Sequence, residues 1–113
     1  MNIGGLYQIK KWFWLLYPIK DIAEASSPVG CWGNVGDATA VAVAAAARYW
    51  SKRFNCNVSF ISQNSMFMLL EQTDKVCKIL TGNGECGWII YPENKYWAKG
   101  CIEEVNQCHI LKS

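Results

Sequence analysis

The feature that most constrains this chain is an alanine-rich run: residues 38–47 contain only alanine, valine and one threonine. Asp37 precedes the run and is a good helix N-cap, because its carboxylate accepts hydrogen bonds from the free amides of a first turn. A helix that is apolar on every side is stable only if neighbours cover it all round. This run is also shorter than the ~20 strongly apolar residues of a membrane span. We therefore predict a central, buried helix whose charged end emerges at the surface with Arg48, Lys52 and Arg53.

Length and charge exclude several classes of protein. A chain of 113 residues, of which 51% are hydrophobic, is expected to form one folded domain with a real core. Its net charge of +2 comes without a basic stripe, so nucleic acid is not an expected partner. We interpret residues 1–113 as a single domain with an aromatic N-terminal arm, residues 1–20, and a body, residues 21–113.

The cysteines indicate an oxidising compartment. Their number is even and their density high, which favours disulfides. The six are Cys31, Cys56, Cys77, Cys86, Cys101 and Cys108. Zinc is the alternative, but the chain has no C-x2-C or H-x3-H spacing, and its single histidine is His109. No metal and no cofactor are therefore predicted.

The N-terminal region has two interpretations. Lys10 and Lys11 precede an apolar run, residues 12–19, as in a signal peptide, and residues 23–25 would serve as a cleavage site. Pro18, Lys20 and Asp21 interrupt the run, however. An aromatic-rich strand or arm that packs on the core, or on a partner, is the favoured interpretation.

The remaining elements complete a mainly α prediction. Residues 56–61 alternate roughly between polar and apolar side chains and predict a short extended segment. Ser62 is the expected cap of a second helix over residues 63–80. A glycine-rich turn over residues 81–87 follows, and then a third helix from Pro92 to Lys99. We expect a small, disulfide-stapled helical domain around the central Ala-rich helix.

Four segments resemble the first, helical half of papain-like cysteine peptidases, especially the cathepsin B group. Residues 18–22 (Pro-Ile-Lys-Asp-Ile) look like that family's entry segment, and residues 35–42 look like the start of its active-site helix. Residues 61–77 look like its Ser-x-x helix ending in cysteine. Residues 84–97 look like its glycine-rich turn and next helix. Together the segments span roughly residues 18 to 108.

This resemblance places Ala38 where the family has its catalytic nucleophile. A methyl group cannot form a thiolate, so nucleophilic catalysis at this position is impossible. A competing register puts the nucleophile on Cys31, which is followed by Trp32 as in the family's Cys-Trp pair. That register is disfavoured because Gly33 and Gly36 would then fall inside the helix, at about 1 kcal/mol per glycine.

The family layout also implies which cysteines pair and where the protein is located. Cys31 is expected to pair with Cys86, and Cys77 with Cys101 or Cys108. A secreted or lysosomal-like location follows from the same resemblance.

The family's second half, which supplies the catalytic histidine, has no counterpart here, because His109 arrives too early. We therefore expect another protein chain as partner: the second peptidase half, another copy, or a larger assembly. The first hypothesis is a catalytically inactive peptidase fragment or subunit, with Ala38 either natural or introduced. The alternative is a small helical interaction subunit of an assembly, without peptidase ancestry and anchored by aromatic residues such as Trp12 and Trp14.

Overall fold

The computed structural model describes residues 2–26, 39–91 and 100–105. These ranges contain seven strands and two helices. In chain order they are β1 (Leu6–Ile9), β2 (Trp14–Leu16), α1 (Lys20–Ser26), α2 (Ala40–Phe54), β3 (Ser59–Ile61), β4 (Met66–Gln72), β5 (Val76–Thr81), β6 (Cys86–Ile90) and β7 (Ile102–Glu104). The protein is mainly β, so the prediction of a mainly α domain is wrong.

Five strands form one antiparallel sheet in the order β6-β5-β4-β1-β7, and β2 and β3 form a separate antiparallel ribbon. The ribbon is attached to the β6 edge of the sheet just after β2. There Tyr17 and Trp88 exchange two backbone hydrogen bonds, of 2.8 and 2.7 Å between nitrogen and oxygen. The N-terminal region is thus an integral part of the fold, because β1 lies between β4 and β7 and β2 continues the sheet at its other edge.

The helix predicted over residues 63–80 is replaced by β4, a turn and β5. Along β4 the side chains alternate, with Phe67 and Leu69 buried and Met66 and Met68 exposed. This is the period of two that a strand facing solvent on one side requires. At the turn, the Thr73 hydroxyl accepts hydrogen bonds from the backbone amides of two residues that follow it, which ends the first strand and starts the second.

The main core lies between the inner face of the five-stranded sheet and the ribbon. Its members are buried apolar side chains from both sheets. They are Tyr7, Ile9, Trp14, Leu16, Ile61, Phe67, Leu69, Cys77, Ile79, Ile89, Tyr91, Cys101 and Ile102. Trp14 is fully buried, and its indole Nε1 donates a 2.9 Å hydrogen bond to the backbone oxygen of Lys11. Its polar group is therefore satisfied within the core.

A second, smaller core covers part of the outer face of the same sheet. Val76, Trp88 and Ile90 project from β5 and β6 on that side, and Ala23 of α1 and Ala47 of α2 belong to the cluster that buries them. Hence α1 shields one end of these strands from solvent. The other end of the outer face is where the candidate surface lies.

Helix α2 exists, but the prediction that neighbours enclose it on every side is wrong. It begins at Ala40 with Thr39 as its N-cap, and the predicted cap Asp37 lies outside the described residues. Only Val43 and Ala47 are buried, whereas Val41 is 79% exposed. Alanine has the highest intrinsic helix propensity and little apolar area, so an alanine-rich helix needs cover on one side only.

Two further predicted elements have different outcomes. The extended segment expected over residues 56–61 contains strand β3, and the glycine-rich turn expected after residue 80 connects β5 to β6. The third helix expected over residues 92–99 lies outside the described residues.

Candidate interaction surface

Three of the six predicted catalytic and disulfide positions, Ala38, Cys31 and Cys108, lie outside the described residues. His109 lies outside them as well. The inactive nucleophile position and the pairing of Cys31 with Cys86 therefore stay predictions.

The four described cysteines form no disulfide with one another. None of the sulfur atoms of Cys56, Cys77, Cys86 and Cys101 lies at bonding distance from another. Cys77 and Cys101 are both buried in the main core, yet the predicted bridge between them is not formed. The alternative partner of Cys77, Cys108, is outside the described ranges.

Two of these thiols are poor candidates for a nucleophile. Burial raises the pKa of the Cys56 thiol above its ordinary value. Burial also raises the pKa of the Cys101 thiol, and the positive charge of nearby Lys11 lowers it by a smaller amount. A reactive cysteine needs the opposite, a lowered pKa that maintains the thiolate near neutral pH. Neither residue has the environment of a catalytic nucleophile.

The described ranges contain neither a cluster of metal ligands nor a membrane-spanning helix. Within residues 2–26, 39–91 and 100–105, no three His, Cys, Asp or Glu side chains come together so as to hold a metal ion. Neither α1 nor α2 is long and apolar enough to cross a membrane.

The outer face of the sheet carries a line of partly exposed apolar side chains, which we call the apolar row. Cross-strand pairing aligns Leu6 of β1 with Met68 of β4, Met68 with Leu80 of β5, and Leu80 with Cys86 of β6. Met66 lies on the same face, two residues before Met68. The exposed fractions are 41% for Met66 and 36% for both Met68 and Leu80. The row therefore presents apolar side chains to solvent across four neighbouring strands.

A cleft of about 360 Å³ lies next to the ribbon, between the connection from β3 to β4 and the turn from β5 to β6. Its lining combines polar side chains with apolar ones such as Phe60 and Ile61. The lining residues are Phe60, Ile61, Ser62, Asn64, Ser65, Met66, Thr81, Gly82, Asn83 and Glu85. Glu85 is the one charged residue among these ten.

The hairpin turn holds Glu85 in place. The Thr81 amide donates a 2.8 Å hydrogen bond to the Glu85 carbonyl oxygen, and the Glu85 amide donates a 3.1 Å bond to the Thr81 hydroxyl. Gly84 has a φ of 86°, a conformation that glycine adopts without strain. The Ser59 hydroxyl donates to Oε2 of the Glu85 carboxylate over 3.3 Å. The turn therefore holds the Glu85 backbone, and the Ser59 bond brings its carboxylate beside β3.

The opposite wall of the cleft is equally well tied to the sheet. The amide of Asn64 donates a 2.7 Å hydrogen bond to the Ile9 carbonyl oxygen. The Ser62 and Ser65 hydroxyl oxygens are 3.2 Å apart and hydrogen-bonded to each other. Both walls are therefore held by hydrogen bonds to neighbouring strands or within their own turn.

A third exposed feature, the C-terminal end of α2, has a structural explanation. Arg48, Lys52 and Arg53 are exposed on this helix. The rest of the chain has eight lysines and arginines against nine acidic residues, so the net positive charge of the chain comes from these three residues. Lys52 and Arg53 lie in the last turn, where positive charge complements the helix dipole. These charges stabilise the helix, and we assign them no binding role.

Comparison of the chain with protein-family models, with curated proteins and with solved structures found no match.

The apolar row was not predicted from the sequence, because residues 63–80 were expected to form a helix. The signal that identifies it is the alternation in Met66-Phe67-Met68-Leu69, in which every second residue faces the core. A short apolar run is compatible with both helix and strand, and the periods of 3.6 and 2 are hard to separate over so few residues.

Proposed function

We propose that this protein is a non-catalytic interaction subunit that binds a short apolar segment of another polypeptide on the apolar row. The observation that carries the proposal is the solvent exposure of Met66, Met68 and Leu80, side by side on a sheet face whose other end is covered by α1. Exposed apolar side chains are common singly, but a contiguous group is typical of an interaction site.

The size of the row supports a short segment as the occupant. A stable interface between two globular proteins buries about 800 Å² on each partner, from roughly 20–30 residues a side. A line of four or five side chains is far smaller. The row therefore suits a peptide-like segment better than a folded domain or a second copy of this chain.

The chemistry of the row supports an apolar ligand. Methionine side chains are unbranched and polarisable, so they adapt to apolar partners of different shape. Burying one partner leucine or phenylalanine contributes about 1.5–3 kcal/mol. The relationship to papain-like peptidases plays no part in the proposal and stays a prediction.

The test uses peptides selected from a random phage-displayed library on the purified full chain. We expect selected peptides to contain apolar residues and to perturb the NMR signals of β4 and β5. Replacing Met68 by threonine, an uncharged residue that suits a strand, is expected to weaken their binding at least tenfold in calorimetric titration. Val41→Thr is the matched control, because Val41 is 79% exposed on α2, away from the row.

Circular dichroism and thermal unfolding will establish that both variants are folded. The proposal is wrong if no peptide is selected. It is equally wrong if Met68→Thr leaves the affinity unchanged, or if Val41→Thr weakens binding as much as Met68→Thr does.

A further inference from the structure

The cleft next to the ribbon has a buried hydroxyl group in its lining. Thr81 lies opposite Phe67 in the strand register, so its side chain projects on the ribbon side of the sheet and not on the side of the apolar row. Thr81 is only 9% exposed. Its hydroxyl oxygen accepts a hydrogen bond from the Glu85 amide, but its proton is donated to none of the described residues. A hydroxyl donor in the cleft is therefore available to a ligand.

The other polar side chains of the lining offer both donors and acceptors. The side-chain amides of Asn64 and Asn83 form no hydrogen bond with another described residue, and each has two N–H donors and one carbonyl acceptor. Ser62 and Ser65 share one hydrogen bond, so that bond uses only one of their two hydroxyl protons. The Glu85 carboxylate accepts a single side-chain hydrogen bond and has further acceptor sites.

This mixture of donors and acceptors distinguishes between classes of ligand. An ammonium or guanidinium group has only donors, so it leaves the donors of the lining unmatched. An ionised phosphate has only acceptors, and the negative charge of Glu85 repels it. A hydroxyl group both donates and accepts, so a neutral ligand with several hydroxyl groups matches the whole set. Phe60 and Ile61 in the lining suit the C–H groups of a sugar ring.

The size and the position of the cleft agree with a small ligand of its own. Its volume of about 360 Å³ is near the lower end of the range of about 300–1,000 Å³ for small-molecule pockets. Met68 and Leu80 lie on the opposite face of the sheet. We propose that the cleft is a second binding site, separate from the apolar row, for a small neutral ligand rich in hydroxyl groups, of the monosaccharide type. This inference goes beyond the proposed function and does not rest on it.

Titration of the full chain with small probes, followed by NMR of its backbone amides, tests the inference. The probes are glucose, galactose, mannose and N-acetylglucosamine, with n-butylamine as the cation and inorganic phosphate as the anion. We expect at least one sugar to shift the signals of residues 62–65 and 81–85 with a Kd of about 1–10 mM. The affinity should be the same at low and high salt, because no ion pair forms. The amine and phosphate should not shift these signals at the same concentrations.

Two exposed asparagines provide the variant and its matched control. Asn83→Ala removes one donor and acceptor group from the lining, and we expect it to weaken sugar binding about fivefold, as for the loss of one hydrogen bond. Asn57→Ala removes the same side chain from the exposed connection between α2 and β3, outside the lining, and should leave the affinity unchanged. Met68→Thr, on the opposite face, should also leave it unchanged.

Several results would overturn the inference. The first is that none of the four sugars shifts the cleft signals, and the second is that the amine or phosphate shifts them at a lower concentration than every sugar. The third is that Asn83→Ala weakens binding no more than Asn57→Ala does. Loss of sugar binding in Met68→Thr would also overturn it, because it would show one shared site. The proposed function survives the first three results, since peptide binding to the apolar row is measured separately.

Discussion

Gly87 determines how closely the ribbon approaches the five-stranded sheet. A Cβ atom at this position would lie 2.7 Å from Leu16 Cγ and 3.0 Å from the Tyr17 carbonyl oxygen, closer than real Cβ contacts allow. We expect Gly87→Ala to lower the free energy of unfolding by about 1–3 kcal/mol, because the packed core between β2 and β6 must move apart. Chemical denaturation followed by tryptophan fluorescence measures the change.

Gly82 is the matched control for this substitution. A Cβ there would meet only the Met66 carbonyl oxygen, at 3.9 Å, which is an ordinary contact. We expect Gly82→Ala to change stability by no more than about 0.5 kcal/mol. Similar losses at the two glycines would show that the close approach of β2 is not what makes Gly87 necessary.

Ser51 connects two elements, the end of α2 and the start of β3. Its hydroxyl oxygen accepts a 2.9 Å hydrogen bond from the Val58 amide and lies within donating distance of the carbonyl oxygens of Ala47 and Val58. Val58 is only 4% exposed, so water cannot easily replace this partner. We expect Ser51→Ala to cost about 1–3 kcal/mol, because it leaves buried backbone groups unsatisfied. Urea denaturation monitored by circular dichroism is the measurement.

The comparison for Ser51 is Ser59→Ala. The Ser59 hydroxyl also makes a hydrogen bond, but it goes to the Glu85 carboxylate on the exposed side of the hairpin. Loss of an exposed hydrogen bond is expected to cost well under about 1 kcal/mol. If Ser51→Ala is equally mild, the helix is joined to β3 by apolar packing instead of this hydroxyl.

At the scale of the whole molecule, the sheet has one largely buried face and one that is only partly covered. Ile79 and Leu80 are neighbours in β5, but Ile79 is fully buried in the main core and Leu80 is 36% exposed. We expect Ile79→Ala to cost about 2–5 kcal/mol from lost burial and the cavity left behind. Leu80→Ala is expected to cost less than about 1 kcal/mol. Thermal and chemical unfolding of both variants give the comparison.

Equal costs at Ile79 and Leu80 would contradict the separation between core and apolar row. In that case Leu80 would be needed for folding, and its exposure would no longer indicate a binding surface for a partner.

The elements predicted from the sequence differ in how much they depend on distant residues. Helix α2 was predicted because alanine favours a helix in any sequence context. Its N-cap, Thr39, and the exposure of most of its residues were not predicted. The short extended segment over residues 56–61, which contains β3, was predicted from alternation alone. By contrast, residues 63–80 were predicted as a helix, because nothing local shows that β4 pairs with both β1 and β5.

The candidate surface depended still more on tertiary structure. Leu6, Met68 and Leu80 are far apart in the chain, and only the register of three strands aligns them. Glu85 meets Ser59 of β3, 26 residues away in the chain, only because the hairpin turn between β5 and β6 brings it to the ribbon.

Local chemistry therefore decided where the alanine-rich helix forms and where the glycine-rich turn lies, because helix propensity and the conformational freedom of glycine act within a few residues. Only the tertiary structure decided the fold class, the pairing order β6-β5-β4-β1-β7 and the side of the sheet on which each apolar residue lies. The physical reason is that a strand is stabilised by hydrogen bonds and side-chain packing with other strands, and these partners come from anywhere in the chain.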